Sequence, residues 1–139
     1  FVYCAAGAST TKNLALQGLV KINVQLGQAV QRWMPKAAHE FLSEVVFVPK
    51  QQHDNNNNNN NNNDANDNDN KDEDHGYLMG YLMDGKERTT KLVVFDAQNI
   101  QQGPIAETLL RQFMPHALHG TFVPGFAPPP PPSSLPLEL

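Results

Sequence analysis

Between Gly18 and Val24 the chain reads Gly-Leu-Val-Lys-Ile-Asn-Val, which puts Val20, Ile22 and Val24 on one side of an extended backbone and Lys21 and Asn23 on the other. This two-residue period, repeated in short runs separated by glycine, proline and polar turns, is the feature that most restricts the fold. Gln25-Leu26-Gly27-Gln28 supplies a turn in which Gly27 can take a positive φ, and Ala29 to Trp33 returns as the second strand of a hairpin. Gly76 to Met83 and Thr89 to Asp96, joined by the polar Asp84-Gly85-Lys86-Glu87-Arg88, form a second hairpin. Phe1 to Ala6 has the composition of a buried strand. Val45 to Val48 is apolar without alternation, so both its faces are expected to be covered, and Pro49 ends it. Ala37 to Leu42 is read as a turn of helix, Ala97 to Gly103 as a turn, Pro104 to Leu110 as a strand or short helix, and Leu118 to Pro124 as a last short apolar strand. No long amphipathic helix is present. The fold class is therefore all-β, built from short antiparallel strands as in a sandwich, a barrel or part of a propeller.

Composition sharpens this in one place. Residues 51–75 carry an uninterrupted asparagine tract, Asn55 to Asn63, followed by Asp/Asn alternation, and such a segment has too little apolar surface to offset its ordering entropy. It is expected to be a disordered surface insertion. Asp64-x-Asn66-x-Asn68 imitates the start of an EF-hand, but the sixth position is Asp69 rather than glycine and the twelfth is His75 rather than glutamate. The formal charge of −4 is uneven: seven acids between Asp54 and Asp74 against Lys71 give this stretch −6, and the remainder sums to +2, close to neutral. That excludes the basic stripe of a nucleic-acid binder. The proline run Pro128 to Pro132, within a tail over 125–139, is expected to be extended and outside the core.

With 139 residues there is room for one domain. The chain opens at Phe1 without an initiating methionine, and strand edges at both ends would stay unpaired in isolation, so a piece of a longer protein is expected. No run approaches the ~20 apolar residues of a membrane span, and no leader is visible. Localisation stays open between plastid and cytoplasm. The single Cys4 has no partner for a disulfide or a CxxC site and is expected to be a buried small hydrophobe.

Five motifs, in order, carry a resemblance. They are Gly18-Leu19-Val20-Lys21-Ile22 with Trp33; Ser43-Glu44-Val45-Val46-Phe47-Val48-Pro49; Gly76-Tyr77-Leu78-Met79-Gly80-Tyr81; Leu92 to Asn99 with Gly103-Pro104; and His119-Gly120-Thr121-Phe122-Val123-Pro124. Together they resemble the C-terminal portion of the carotenoid cleavage oxygenases over residues 1–124. The resemblance implies the last blades of a seven-bladed β-propeller with non-haem Fe(II) on its axis, held by four histidines from different blades. It implies a dioxygenase that splits a carbon-carbon double bond of a carotenoid or apocarotenoid into carbonyl products. Imidazole suits iron, and four neutral nitrogens leave the ion's charge intact.

Carried over residue by residue, the resemblance implies that His119 is an iron ligand. It also implies that Glu44 is the carboxylate that accepts a hydrogen bond from it, fixing the imidazole tautomer. Two positions depart from the family pattern: Val45 stands where proline usually follows the glutamate, and Leu118 where an aromatic often precedes the histidine. The other three histidine ligands belong to blades absent from these residues, so the chain alone is expected to be inactive. His116 is an odd number of residues from His119 and would point to the opposite face of a strand. His39, His53 and His75 read as solvated. Phe122 is a candidate for lining a polyene channel, as is Phe47, whereas Phe95, Met79 and Met83 read as core. Alternatives left open are stilbene-type alkene cleavage or isomerisation within the same family, and a non-catalytic β-propeller or β-sandwich binding module. Peripheral membrane contact through regions outside these residues also stays open.

Overall fold

A computed structural model describes residues 1–7, 16–50, 73–115 and 119–126. The asparagine tract, His53, His116 and the proline run lie outside them.

Among the described residues eight strands form two antiparallel sheets. The first sheet has the order β1 (Val2–Gly7), β2 (Leu16–Asn23), β3 (Gln28–Trp33). Gly27 sits at φ 62° in the β2–β3 turn, a conformation that favours glycine. In the second sheet β6 (Gly76–Asp84) and β7 (Thr89–Asp96) pair along their whole length, and β8 (Ala106–Leu109) adds to the far side of β7. The other side of β6 is shared by two short strands, β4 (Glu40–Leu42) on its C-terminal half and β5 (Val46–Pro49) on its N-terminal half. They behave as one edge strand broken at Ser43-Glu44-Val45.

The core lies between the sheets. Leu19 of β2 meets Leu42, Leu78, Leu82, Val93 and Phe95, with Ala97 and Ile100 closing the end and Trp33 packed edge-on to Phe95 at 4.9 Å between ring centroids. Burial of these side chains, each contributing about 1.5–3 kcal/mol relative to exposure, is what drives the two sheets together.

Several expectations are corrected. The two sides of β2 do not divide into one inside and one outside: Val20 is buried on one, Leu19 and Lys21 on the other. Lys21 is 3% exposed and pairs with Asp74 while donating to the Ala97 carbonyl at 3.1 Å. A buried ammonium is tolerated when paired and hydrogen-bonded, and here it also lies 4.2 Å from the centre of the Phe1 ring. The Tyr3 hydroxyl donates to the same Ala97 carbonyl, and burial, followed by the charge of Asp74, holds that phenol well above its ordinary range. Asp74 is thus part of the folded unit, although the insertion reads from sequence as running to His75.

Ala37 to Leu42 is a turn leading into β4 rather than helix, because Glu40 to Leu42 finds ladder partners on β6. The β5 run is not covered on both faces: Val46 and Val48 are half-buried, Phe47 is exposed and stacks on Tyr3 from one side. Pro104 to Leu110 contains a strand, and the turn before it includes a short 3₁₀ helix over Ile100–Gln102. His119 to Pro124 is not a strand, since no ladder partner is present for it among the described residues. Cys4 is half-buried rather than buried.

Candidate functional site

The site begins at the break between β4 and β5. Ser43 is buried, and its N–H still donates to the Tyr81 carbonyl at 2.8 Å while its hydroxyl accepts from the Tyr81 N–H at 2.9 Å. The same hydroxyl donates to the Glu44 carbonyl at 3.1 Å. A side chain thereby takes over a backbone role, and the ladder can be interrupted without leaving buried groups unpaired. Opposite the break stands Gly80. A Cβ there would lie 3.0 Å from Val45 Cγ1 and 3.3 Å from the Glu44 carbonyl oxygen, so the close approach of the edge to β6 favours glycine.

Released from the ladder, Glu44 turns outward, and its Oε2 lies 2.8 Å from Nδ1 of His119, 75 residues later. A carboxylate is an acceptor, so the Nδ1 nitrogen carries the proton and donates, which leaves the Nε2 lone pair directed away from the pair. The side chains are 88% and 50% exposed, His119 and Glu44 respectively. The backbone after His119 rests on β5, where a Cβ on Gly120 would touch Val46 Cγ2 at 3.4 Å.

Beside this pair lies a cavity of about 200 Å³ on the face of the second sheet that points away from the core. Val46, Val48, Met79, Leu92 and Phe122 give it an apolar lining, with the Tyr81 ring among them and His119 and Glu44 at its margin. The structure thus gathers His119, Glu44 and Phe122 at one place. Phe47 is not there: alternation along β5 sends it to the opposite face from Val46 and Val48. Phe95 is fully buried in the core. Met79 is not core, because on β6 the buried positions are Gly76, Leu78, Gly80 and Leu82, and Met79 takes the other face. Met83 is half-buried on that same side. His39 is 42% exposed, with Nε2 3.6 Å from Asp84, and His75 is exposed.

Among the described residues no three His, Cys, Asp or Glu side chains converge on one point, so the described site offers the His119 imidazole rather than a complete metal-binding set. Ser43 and Gly80 are the site residues that motif reading passes over. A glycine in the middle of an otherwise apolar strand is the one signal that marks a close approach there.

The family described as "RPE65: Retinal pigment epithelial membrane protein" matches residues 1–124. The chain is 28% identical over 122 residues to the apocarotenoid-15,15'-oxygenase of Synechocystis sp., covering 88% of this chain and 21% of that protein. It is 28% identical over 123 residues to the chloroplastic 9-cis-epoxycarotenoid dioxygenase NCED6 of Arabidopsis thaliana, covering 88% of this chain and 17% of that one. The cobalt-substituted structure of the Synechocystis apocarotenoid oxygenase superposes with a TM-score of 0.62 at 26% identity, over 84% of this chain and 20% of its own. The chain therefore spans about a fifth of the length of the relatives it matches. Its all-β architecture corresponds to part of their β-propeller. The ordered motifs, the two antiparallel sheets and the match over residues 1–124 together place this chain in the RPE65 family, that of the carotenoid oxygenases.

Proposed function

We propose that the full-length protein is a non-haem Fe(II) dioxygenase that cleaves a carbon-carbon double bond of a carotenoid or apocarotenoid to carbonyl products, with dioxygen as co-substrate. His119 supplies one of the iron's four imidazole ligands, and the other three come from parts of the protein outside this chain. The observation that carries the reading is the His119–Glu44 pair. Its 2.8 Å contact commits the Nδ1 proton to a carboxylate and leaves Nε2 available, the arrangement that a metal-bound histidine needs. The relatives named apocarotenoid oxygenase and 9-cis-epoxycarotenoid dioxygenase support the substrate class, and the cobalt-substituted relative supports a divalent metal site.

The donor chemistry fits iron. A neutral imidazole is a suitable ligand for Fe(II), and the exposure of His119 in this chain leaves its Nε2 side open to a metal and to ligands from other blades. Iron, when bound, supplies the activation of dioxygen. The chain's own residues do the rest of what is proposed for them here. Glu44 holds the Nδ1 proton and the ring plane, so that the ligand does not rotate or change tautomer. The apolar wall beside it, with Phe122 at its edge, favours a hydrocarbon chain over water.

The test is made on the full-length protein, by comparing iron content and polyene cleavage of His119→Ala with the parent. The expected result is loss of both. Unchanged iron together with unchanged cleavage would sink the assignment.

A further inference from the structure

We propose that Thr90 is a positioning residue for His119, the point at which the second sheet holds the segment that carries the imidazole; this rests on the reading of His119 as a metal ligand. Thr90 lies on β7 and is 1% exposed. Its hydroxyl accepts from the Met114 N–H at 3.0 Å and donates to the Met114 carbonyl at 2.9 Å. A buried hydroxyl is satisfied by fewer partners than this, and here both of its capacities go to the backbone of a single residue. Two bonds to one residue fix its orientation as well as its place.

The backbone of Thr90 adds a third bond, its carbonyl accepting from the Leu110 N–H at 2.8 Å. Residues 110–114 therefore leave the end of β8 and come back to the residue they left. The Arg88 guanidinium lies 5.9 Å from the centre of the Phe113 ring and covers the same bend.

His119 follows five positions after Met114, a tether that cannot exceed ~18 Å even when fully extended. Beyond the tether the support is sparse. Among the described residues, His119 to Pro124 joins no strand ladder, Gly120 rests on Val46, and the ring itself meets Glu44. A ring that meets one side chain among the described residues is oriented more closely when the backbone beneath it is also fixed. Thr90 anchors the chain at Met114, upstream of the ring, and Glu44 meets the ring itself.

The experiment titrates the full-length protein anaerobically with Fe(II) and with Co(II), following the cobalt ligand-field spectrum. Thr90→Val keeps the shape and removes both hydroxyl bonds; Thr90→Ser keeps the hydroxyl; Thr90→Ala removes it without the bulk. The expected result is a loss of about tenfold in metal affinity with an altered cobalt spectrum in Thr90→Val and Thr90→Ala, and recovery of both in Thr90→Ser. His119→Ala and the core variant Val93→Ala are run alongside. If His119→Ala binds metal as the parent does, the metal reading itself falls. If His119→Ala loses metal while Thr90→Val and Thr90→Ala bind like the parent, the positioning role is overturned and the metal reading stands. The positioning role is equally overturned if Val93→Ala, at a matched fall in melting temperature, loses as much affinity, or if Thr90→Ser fails to restore it.

Discussion

An imidazole has two nitrogens, and which of them is free is decided by what the other one meets. In this chain Nδ1 of His119 meets Glu44 Oε2, so the tautomer is set before any metal arrives. A glutamine at position 44 can still accept that proton through its amide oxygen, but without the charge. An alanine cannot. Removal of such a carboxylate typically lowers metal affinity 10–100-fold. We expect Glu44→Ala to fall in that range and Glu44→Gln to fall less, as read by anaerobic metal titration of the full-length protein; equal affinity in all three would show that Glu44 is a bystander. Neither residue was identifiable alone from local pattern, since a histidine beside a glycine and a glutamate before a β-branched run are both commonplace. Their pairing across 75 residues came from the order of motifs rather than from spacing.

At the scale of elements, the decisive event is the interruption between β4 and β5. The hairpins β2–β3 and β6–β7 were readable because alternation and turn chemistry agree there, as with Gly27 at φ 62°. The interruption was not, because Glu40 to Leu42 is too short to show a period and its strand character depends on β6. For the same reason His119 to Pro124, which has strand-type residues, forms no strand among the described residues, where it meets no ladder partner. Gly80 is what allows the broken edge to sit close. Gly80→Val should push Val45 and Glu44 away from β6, costing about 1–3 kcal/mol by overpacking and weakening metal binding with it. Denaturant midpoints and metal titration on the same preparation check this. A Gly80→Val protein of parental stability and affinity would mean that the edge can shift without moving the site.

For the whole molecule, sequence reading reached the fold class and the family but not the burial of both sides of β2, Lys21 as well as Val20. Lys21 looks like an outward residue because lysine usually is, and nothing local announces that Asp74, beyond a long polar insertion, will come to meet it. The pair ties the first sheet to the chain that enters β6 and, through the Ala97 carbonyl, to the end of β7. Breaking one partner of a buried pair leaves an uncompensated charge, at a cost of about 3–5 kcal/mol. Asp74→Asn should show that loss in equilibrium unfolding, and the double variant Lys21→Met with Asp74→Asn should recover part of it; no recovery would mean that Asp74 acts through some other contact.

The Lys50 N–H donates to the His75 carbonyl at 3.2 Å, beside the last rung of the β5–β6 ladder. Strand pairing has therefore already joined the two ends of whatever lies between them, and the entropy of closing a flexible loop grows by only about 0.6 kcal/mol for each doubling of its length. A change in the length of chain between Lys50 and His75 therefore costs folding little, and the same junction is a natural port for inserting a tag or a reporter.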